Sequence, residues 1–487
     1  MNKHALLLLL GMALVLAGCT MAPKYTRAKP PVPPAWPTGT AYPEALAATN
    51  ATDVSQLRWQ EFFTDPKLEQ VIGTALTNNR DLRIAALNVE ESRAMYHIQR
   101  DVLFPTLNAN GGMSRQVLPA DLSGANPSSR VTSSRYDANF GVASWEIDFF
   151  GRIRSLKDEA LATYLATEQA RRGAQISLIA SVAAAYLTLA ADQENLALAQ
   201  TTLTAQRSSY DLIKRRYDLG LVPELNLHQA EMQVDAALGD TARYTQSVAQ
   251  DENALNFLVG APVPGELLPT ELDRVNPPEE ISAGLSSEVL LRRPDVLQAE
   301  DLLKAANADI GAARAAFFPR ISLTAAIGTA SSDLSGLFKS GQGTWSYAPQ
   351  IVMPIFDART WSAHKAAKVQ REIAVTQYEK AIQSAFREVA DALATRGTVD
   401  QQVSAQQSLV HAASETYRLS VSRYDKGIDD YLTVLDAQRS MYAAQQGLVS
   451  LRLVKRASQV QLYAVLGGGW QTGPVPAPIA KAGSPRP

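Results

Sequence analysis

The sequence predicts an α+β membrane protein in which one chain supplies four membrane strands and very long coiled-coil helices, arranged as an internal tandem repeat. Three observations carry that expectation. First, short sequences recur in register. Phe104-Pro105 returns as Phe318-Pro319 and Asp81-Leu82 as Asp295-Val296, both shifted by 318 − 104 = 214. Arg216-Tyr217-Asp218-Leu219-Gly220 returns as Arg423-Tyr424-Asp425-Lys426-Gly427, and Gly260 as Gly467, both shifted by 427 − 220 = 207. Second, proline is absent from Ser128 to Val222 and from Ile355 to Gly473. Third, apolar and small polar residues alternate just ahead of each proline-free stretch. A fixed large period means two copies of one supersecondary unit.

Residues 1–18 read as a signal peptide: a short polar start at Lys3 and His4, then an apolar run from Ala5 to Leu16 that is too short to span a bilayer as a mature helix. It closes on Leu16-Ala17-Gly18-Cys19, which looks like a bacterial lipobox. Cleavage then leaves Cys19 as the amino terminus, carrying N-acyl (palmitate) and S-diacylglycerol lipid, the one covalent lipid and no other cofactor. The alternative is an ordinary signal peptide with an incidental cysteine. Cys19 is the single cysteine, so disulfides and thiolate metal sites are excluded. Thr20, not Asp, follows it, which permits export to the outer membrane.

Residues 19–55 are a lipidated extended tether, rich in proline at Pro30, Pro31, Pro33, Pro34 and Pro37. The first repeat is expected over 56–270, with strands at about 103–116 and 134–149, a long helix at about 152–217 and a second at about 223–258. The second repeat is expected over 271–466, with strands at about 319–331 and 344–356 and helices at about 359–425 and 429–466. Residues 467–487, with five prolines after three glycines, form a disordered tail.

The long helices follow from composition and periodicity. Arg152 to Arg216 holds one glycine and is dominated by good helix formers. At 1.5 Å per residue such a helix runs about 100 Å. Val182, Leu189, Leu196 and Leu203 recur every seven residues with Ile179 and Tyr186 between them, a coiled-coil seam. The copy has Phe386, Val389 and Leu393, then Val403, Val410 and Tyr417; Asp400 interrupts one row, so a register shift is expected there. Each helix ends at Tyr-Asp-x-Gly, glycine being the common αL stop, and restarts at Pro223-Glu224 or Asp429-Asp430, residues suited to a first turn.

The strands follow from period two. Leu107, Ala109, Gly111 and Met113 alternate with Asn108, Asn110 and Gly112; Tyr136, Ala138, Phe140 and Val142 alternate with Asp137, Asn139 and Gly141. Ile321, Leu323, Ala325 and Ile327, then Trp345, Tyr347, Ile351 and Met353, repeat the pattern. Membrane strands facing lipid on one side and water on the other have this signature; a small soluble cap sheet is the alternative. Nothing after residue 19 is a run of about 18 apolar residues, so strands must do any spanning. Four strands leave open edges, which hydrocarbon does not tolerate, and a water-filled barrel needs more than eight. Three chains give 12. A ring of subunits is predicted from strand count, and the export signal puts the helical continuation in the periplasm.

Near-zero net charge, −2, implies no nucleic acid or other polyanion partner. The mature chain's histidines, His97, His228, His364 and His411, lack metal-ligand spacing, and neither GxxxxGK[ST] nor GxSxG occurs, so no catalytic or metal site is expected and the chain is not read as an enzyme.

The residues Leu57-Arg58-Trp59-Gln60-Glu61-Phe62-Phe63, Asn79-Arg80-Asp81-Leu82-Arg83, Ala143 to Arg152, Ile310 to Pro319 and Tyr431 to Arg439 together resemble the TolC-type outer membrane factors, in particular their lipid-anchored, OprM-like efflux branch. That resemblance implies a homotrimer with a 12-stranded outer membrane β-barrel continued by a long α-helical coiled-coil periplasmic barrel, in a Gram-negative outer membrane. It implies the exit duct of a tripartite multidrug efflux pump, passively conducting small molecules. Its partners would be a periplasmic adaptor (membrane fusion) protein and an inner membrane resistance-nodulation-division transporter. By the same resemblance, Leu432, Asp436 and Arg439 narrow the periplasmic end as a gate. Their i, i+4 and i+3 spacings put them on one helix face, where the bland reading is a solvated ion pair. The first copy has Leu225, Gln229 and Met232 there. The turns at Tyr217, Asp218, Gly220 and Tyr424, Asp425, Gly427 are candidate adaptor docking sites or simply helix stops. Alternatives of function are a duct for type I protein secretion and, in a different class, a lipid-anchored periplasmic coiled-coil protein without a pore.

Overall fold

A computed structural model describes residues 20–42, 54, 57–121, 130–281 and 286–471. Cys19, the signal peptide and most of the tail lie outside the described residues, as do the tips of the loop between the first two strands. The chain forms two compact units: 1–29 with 89–167 and 299–378, and 30–88 with 168–298 and 379–487.

The first unit holds an antiparallel four-stranded sheet in the order β1 (Leu107–Leu118), β2 (Val131–Ile147), β3 (Arg320–Ser331), β4 (Gly343–Val352), each strand beside its neighbour in sequence. Register lines up one apolar row, Ala109↔Phe140↔Ile327↔Trp345, and next to it Leu107↔Val142↔Ala325↔Tyr347. The opposite face carries Asn110↔Asn139↔Gly328↔Thr344. Phe140, Ile327, Trp345 and Tyr347 are all exposed. The alternation read from sequence is thus a two-faced sheet, whose apolar face is exposed at these residues among the described ones. Glycine lets the strands approach on the polar face: a Cβ on Gly141 would lie 2.1 Å from the Ala325 carbonyl oxygen, and one on Gly328 2.2 Å from that of Ala138. A bulge between Val142 and Trp145 puts Ser144 at φ 52°, its amide donating to Thr324 Oγ1 at 3.1 Å.

Strand ends differ from the expected ones for identifiable reasons. Phe104-Pro105 precedes β1 instead of opening it, because the preceding helix runs to Asp101. Asp148 and Phe149 fall outside β2: the Asp148 carboxylate accepts the amides of Ile153 and Arg154, capping the next helix. β4 stops at Val352, ahead of Pro354.

The helices are α1 (Trp59–Phe62), α2 (Pro66–Asn78), α3 (Arg80–Asp101), α4 (Arg152–Asp218), α5 (Glu224–Val259), α6 (Pro294–Ala315), α7 (Ala358–Asp425) and α8 (Tyr431–Val465). At 67 and 68 residues, α4 and α7 each run about 100 Å. Four helices, α1, α2, α3 and α6, have no counterpart in the expected elements. Two announce themselves in sequence by a residue pair that caps and starts them: Asp65 accepts from Lys67 and Leu68 with Pro66 at the first position, and Asn79 Oδ1 accepts from Leu82.

In the second unit the coiled-coil positions pack inward. Ile179, Val182, Tyr186 and Leu189 are buried, as are Val389 and Leu393. At the interruption the seam steps back by one residue: Val399 is fully buried, and Asp400 points out to an ion pair with Lys455 at 2.7 Å. One stretch of α4 is long and apolar enough to cross a bilayer, but 61% of it is buried within the chain, the pattern of a core helix. Phe62 stacks on Tyr463 at 4.0 Å between ring centroids, anchoring α1 on α8.

Candidate functional site

Both helical turns stop by the same backbone device. Gly220 and Gly427 sit at φ 71° and 70°. In the first turn Gly220 N–H donates to the Tyr217 carbonyl (2.8 Å) and Leu221 N–H to that of Arg216 (2.8 Å). In the second, Gly427 donates to Tyr424 (2.9 Å) and Ile428 to Arg423 (3.0 Å). This paired capping of the last carbonyls needs one left-handed residue, which glycine supplies without strain.

Side chains then separate the copies. The second turn is held by a two-pronged pair, Arg423 Nε and Nη2 on Asp429 Oδ2 (2.5 Å) and Oδ1 (2.8 Å). That hydrogen bonding holds the half-buried Asp429 carboxyl below the usual carboxylate range. Asp430 caps α8, accepting from the Thr433 amide at 3.0 Å and hydroxyl at 2.8 Å. The first turn has Val222 and Pro223 at those places, and Pro223 makes no side-chain cap bond. The two turns are joined by Arg216, which lies 3.6 Å from Asp425 and 5.3 Å over the Tyr424 ring. Below them Ile213, Ala230, Tyr431, Val434 and Leu435 form a buried cluster, walled by Tyr210, Tyr417 and Tyr424. Burial, then the neighbouring Tyr424, pushes the Tyr431 hydroxyl up to about 12.

That cluster fixes the face of α8. Tyr431, Val434, Leu435, Ala437 and Gln438 are buried, whereas Leu432, Asp436 and Arg439 are all exposed. Arg439 Nη2 donates to Asp436 Oδ1 at 2.8 Å, and Leu432, 45% exposed, lies one turn ahead on the same stripe. On α5, Leu225 and Met232 are exposed and Gln229 is half-buried, so the first copy shows an uncharged stripe. Of the other singled-out residues, Asp218, Gly220, Asp425 and Gly427 are exposed, Tyr217 borders on exposed and Tyr424 is half-buried. Sequence reading missed the Arg423–Asp429 and Arg216–Asp425 pairs. The signal was present: an arginine of each repeated motif, with an acidic residue across the turn in one copy only.

Comparison with known proteins places the chain in a family. The model of the outer membrane efflux protein family matches residues 71–261 and 285–468. The chain belongs to that family: it is an outer membrane efflux duct extending into the periplasm, a class of channel rather than of enzyme. It is 49% identical over 467 residues to the probable efflux pump outer membrane protein TtgC of Pseudomonas putida, covering 95% of each chain. Outer membrane protein OprJ of Pseudomonas aeruginosa is 40% identical over 463 residues, again 95% of each. Among solved structures, the open state of the Neisseria gonorrhoeae MtrE outer membrane channel matches with a TM-score of 0.80 at 40% identity, over 93% of this chain and 99% of that one. The fold class is that of the trimeric outer membrane channels, each chain giving four strands to a β-barrel and its long helices to a helical barrel.

Proposed function

We propose that three copies of this chain form the exit duct of a tripartite pump, closed at its periplasmic end by the stripe Leu432, Asp436 and Arg439. The supporting observation is the split of α8 at the turn: one face packs into the tyrosine-rich cluster, and the other presents a leucine and an ion pair with no other partner from the described residues. Three-fold symmetry turns that stripe into a leucine ring and a ring of paired charges. The sheet supports the same trimer, because β1 and β4 each have one unpaired edge and hydrocarbon does not tolerate open edges. Twelve strands close the barrel.

In this reading Cys19 carries N-acyl and S-diacylglycerol lipid. A periplasmic adaptor docks at Tyr217, Asp218, Gly220 and Tyr424, Asp425, Gly427. An inner membrane transporter of the resistance-nodulation-division class supplies the energy. One relative, 49% identical, is a toluene efflux pump outer membrane protein of Pseudomonas putida, and apolar solvents and drugs are the proposed cargo. Reconstitution in planar bilayers tests the gate. Leu432→Ala with Asp436→Ala should raise single-channel conductance several-fold, and an unchanged conductance sinks the gate assignment. Leu225→Ala with Gln229→Ala, in the first copy, should leave it near wild type.

A further inference from the structure

A pair of like charges stands partway along the first hairpin. Asp192 lies on α4, 218 − 192 = 26 residues before that helix ends, and Asp251 on α5, 251 − 224 = 27 residues after it starts. Both are therefore about 40 Å from the turn, at one level of the antiparallel pair. The two side chains come within hydrogen-bonding reach of each other. Both are half-buried, and Ala191, Asn195 and Leu255 beside them on the two helices are buried.

No cation answers this pair. The other charges near this level are engaged with one another: Arg452 of α8 bonds Glu194 of α4 at 2.7 Å and also Asp273 of the Leu272–Arg274 turn, and Lys455 of α8 bonds Asp400 of α7 at 2.7 Å. Arg456, the next cation along α8, feels Arg452 and neither aspartate. Glu252 follows Asp251 directly and so points about 100° away round α5. Ionised carboxylates only accept hydrogen bonds, and Asp251 Oδ2 is buried with no donor to accept from. A single proton supplies that donor. Burial first, then the charge of Asp192 and the hydrogen bond with it, pushes the Asp251 carboxyl up to about 6. That titration belongs to the pair, which holds one proton between two carboxyls below it.

The second copy has no such pair. Under the shift of 207, Asp192 corresponds to Val399 and Asp251 to Ser458. Both are buried, and Ser458 Oγ donates to the Lys455 carbonyl of its own helix at 2.7 Å. The same level of the seam is uncharged in one hairpin and carries two carboxyls in the other.

We propose that Asp192 and Asp251 form a proton clasp in the first hairpin: one shared proton binds α4 to α5, and its release lets the two helices part at that level. A raised folded-state value means the stabilisation is fully present below the ordinary aspartate value near 4 and is lost as pH rises through about 6. The first hairpin is then firmest in an acidified periplasm, while the matching level of the second does not titrate. The clasp uses none of the residues assigned to the gate and stands whether or not that assignment holds.

Hydrogen exchange of the full-length protein in detergent micelles, corrected for intrinsic rates, tests the clasp. Amides of residues 188–195 and 248–255 should exchange about tenfold faster at about pH 8 than at about pH 5, the ratio set by a shift from near 4 to about 6. Asp251→Asn keeps the shape and offers Asp192 a permanent amide donor, so exchange should be slow at both pH values. Asp192→Asn removes the other charge and should flatten the profile in the same way. Amides around Val399 and Ser458 should show no pH dependence in any of these proteins. Equal wild-type rates at the two pH values, or a pH dependence that survives in either variant, overturn the clasp.

Discussion

The two helical turns share a backbone and several side chains, such as Tyr210 with Tyr417 and Ala230 with Ala437, yet differ at the positions that hold the next helix. Under the shift of 207, Tyr431 corresponds to Glu224, Leu435 to His228, Asp430 to Pro223 and Ser420 to Ile213. Tyr431 and Leu435 are buried, whereas Glu224 and His228 are exposed. The repeated motif therefore specifies where each long helix stops, and the residues after it decide how firmly the next helix is held. The second turn has a tyrosine and a leucine in the cluster, a side-chain cap and an ion pair across the turn. The first contributes Ile213 and Ala230 to the same cluster and leaves Leu219, Leu221, Leu225 and Met232 exposed. If the hairpins move relative to each other, these differences set which contacts break.

The largest expected effect comes from removing the anchor of the second turn. Tyr431→Ala deletes a buried ring, and aromatic-to-alanine changes in cores cost about 3–5 kcal/mol. A chain of two units is not a two-state system, so the loss is best read locally. Hydrogen exchange of the amides around Val434 should speed up by about a hundredfold or more, since 1.4 kcal/mol is a factor of ten. Glu224→Ala, the matching change in the first copy, should alter exchange little. Similar responses in the two copies would break the comparison.

A smaller effect isolates the cap. Asp430→Ala removes the acceptor of the Thr433 amide, a loss of about 1 kcal/mol for an N-cap. Exchange at the start of α8 should rise about fivefold. Pro223→Ala removes no hydrogen bond and should leave the start of α5 unchanged or slightly looser. A loss at Pro223 as large as at Asp430 would mean that proline's fixed φ, not the cap, governs both starts.

How much of this was readable from the sequence follows from the physics of each feature. The long helices and the sheet were legible because their signals are periodic: proline-free runs with heptad leucines, and alternation that leaves Phe140, Ile327 and Trp345 on one face. That Leu432, Asp436 and Arg439 share one face was legible because helical spacing fixes a face; their reading as a gate came from the family resemblance. The packing of the amino-terminal segment against α6 was not. Its contacts join residues more than 270 positions apart, such as Tyr25 with Glu300 and Pro23 with Asn307. Gly311 by itself reads as a mild helix defect until Ala22 is seen lying against it. Likewise Asp429 reads as one acidic residue in a first turn, and only the closed turn brings it onto Arg423.

The smallest effect sharpens the comparison through pH. His228 lies on α5 between Glu231, 3.0 Å from its Nδ1, and Glu224, 3.7 Å from its Nε2. The hydrogen bond with Glu231, followed by the two carboxylate charges, raises its affinity for a proton above the usual value near 6.5. A raised folded-state value means the stabilisation is fully present below about 6.5 and is lost as pH rises through the higher folded value. The second turn behaves oppositely. The lowered Asp429 carboxyl contributes above the ordinary carboxylate value and is lost only as pH falls through its own depressed one. Between mildly acidic and mildly alkaline pH, then, only the first hairpin should respond. Exchange of the amides of residues 225–232, corrected for intrinsic rates, should increase slightly as pH rises through that range, and His228→Gln should flatten the change. Amides of residues 425–433 should show none. Because all three side chains are exposed, salt should weaken the first-hairpin response as well, and a response that persists at high salt would assign it to some group other than this His–Glu cluster.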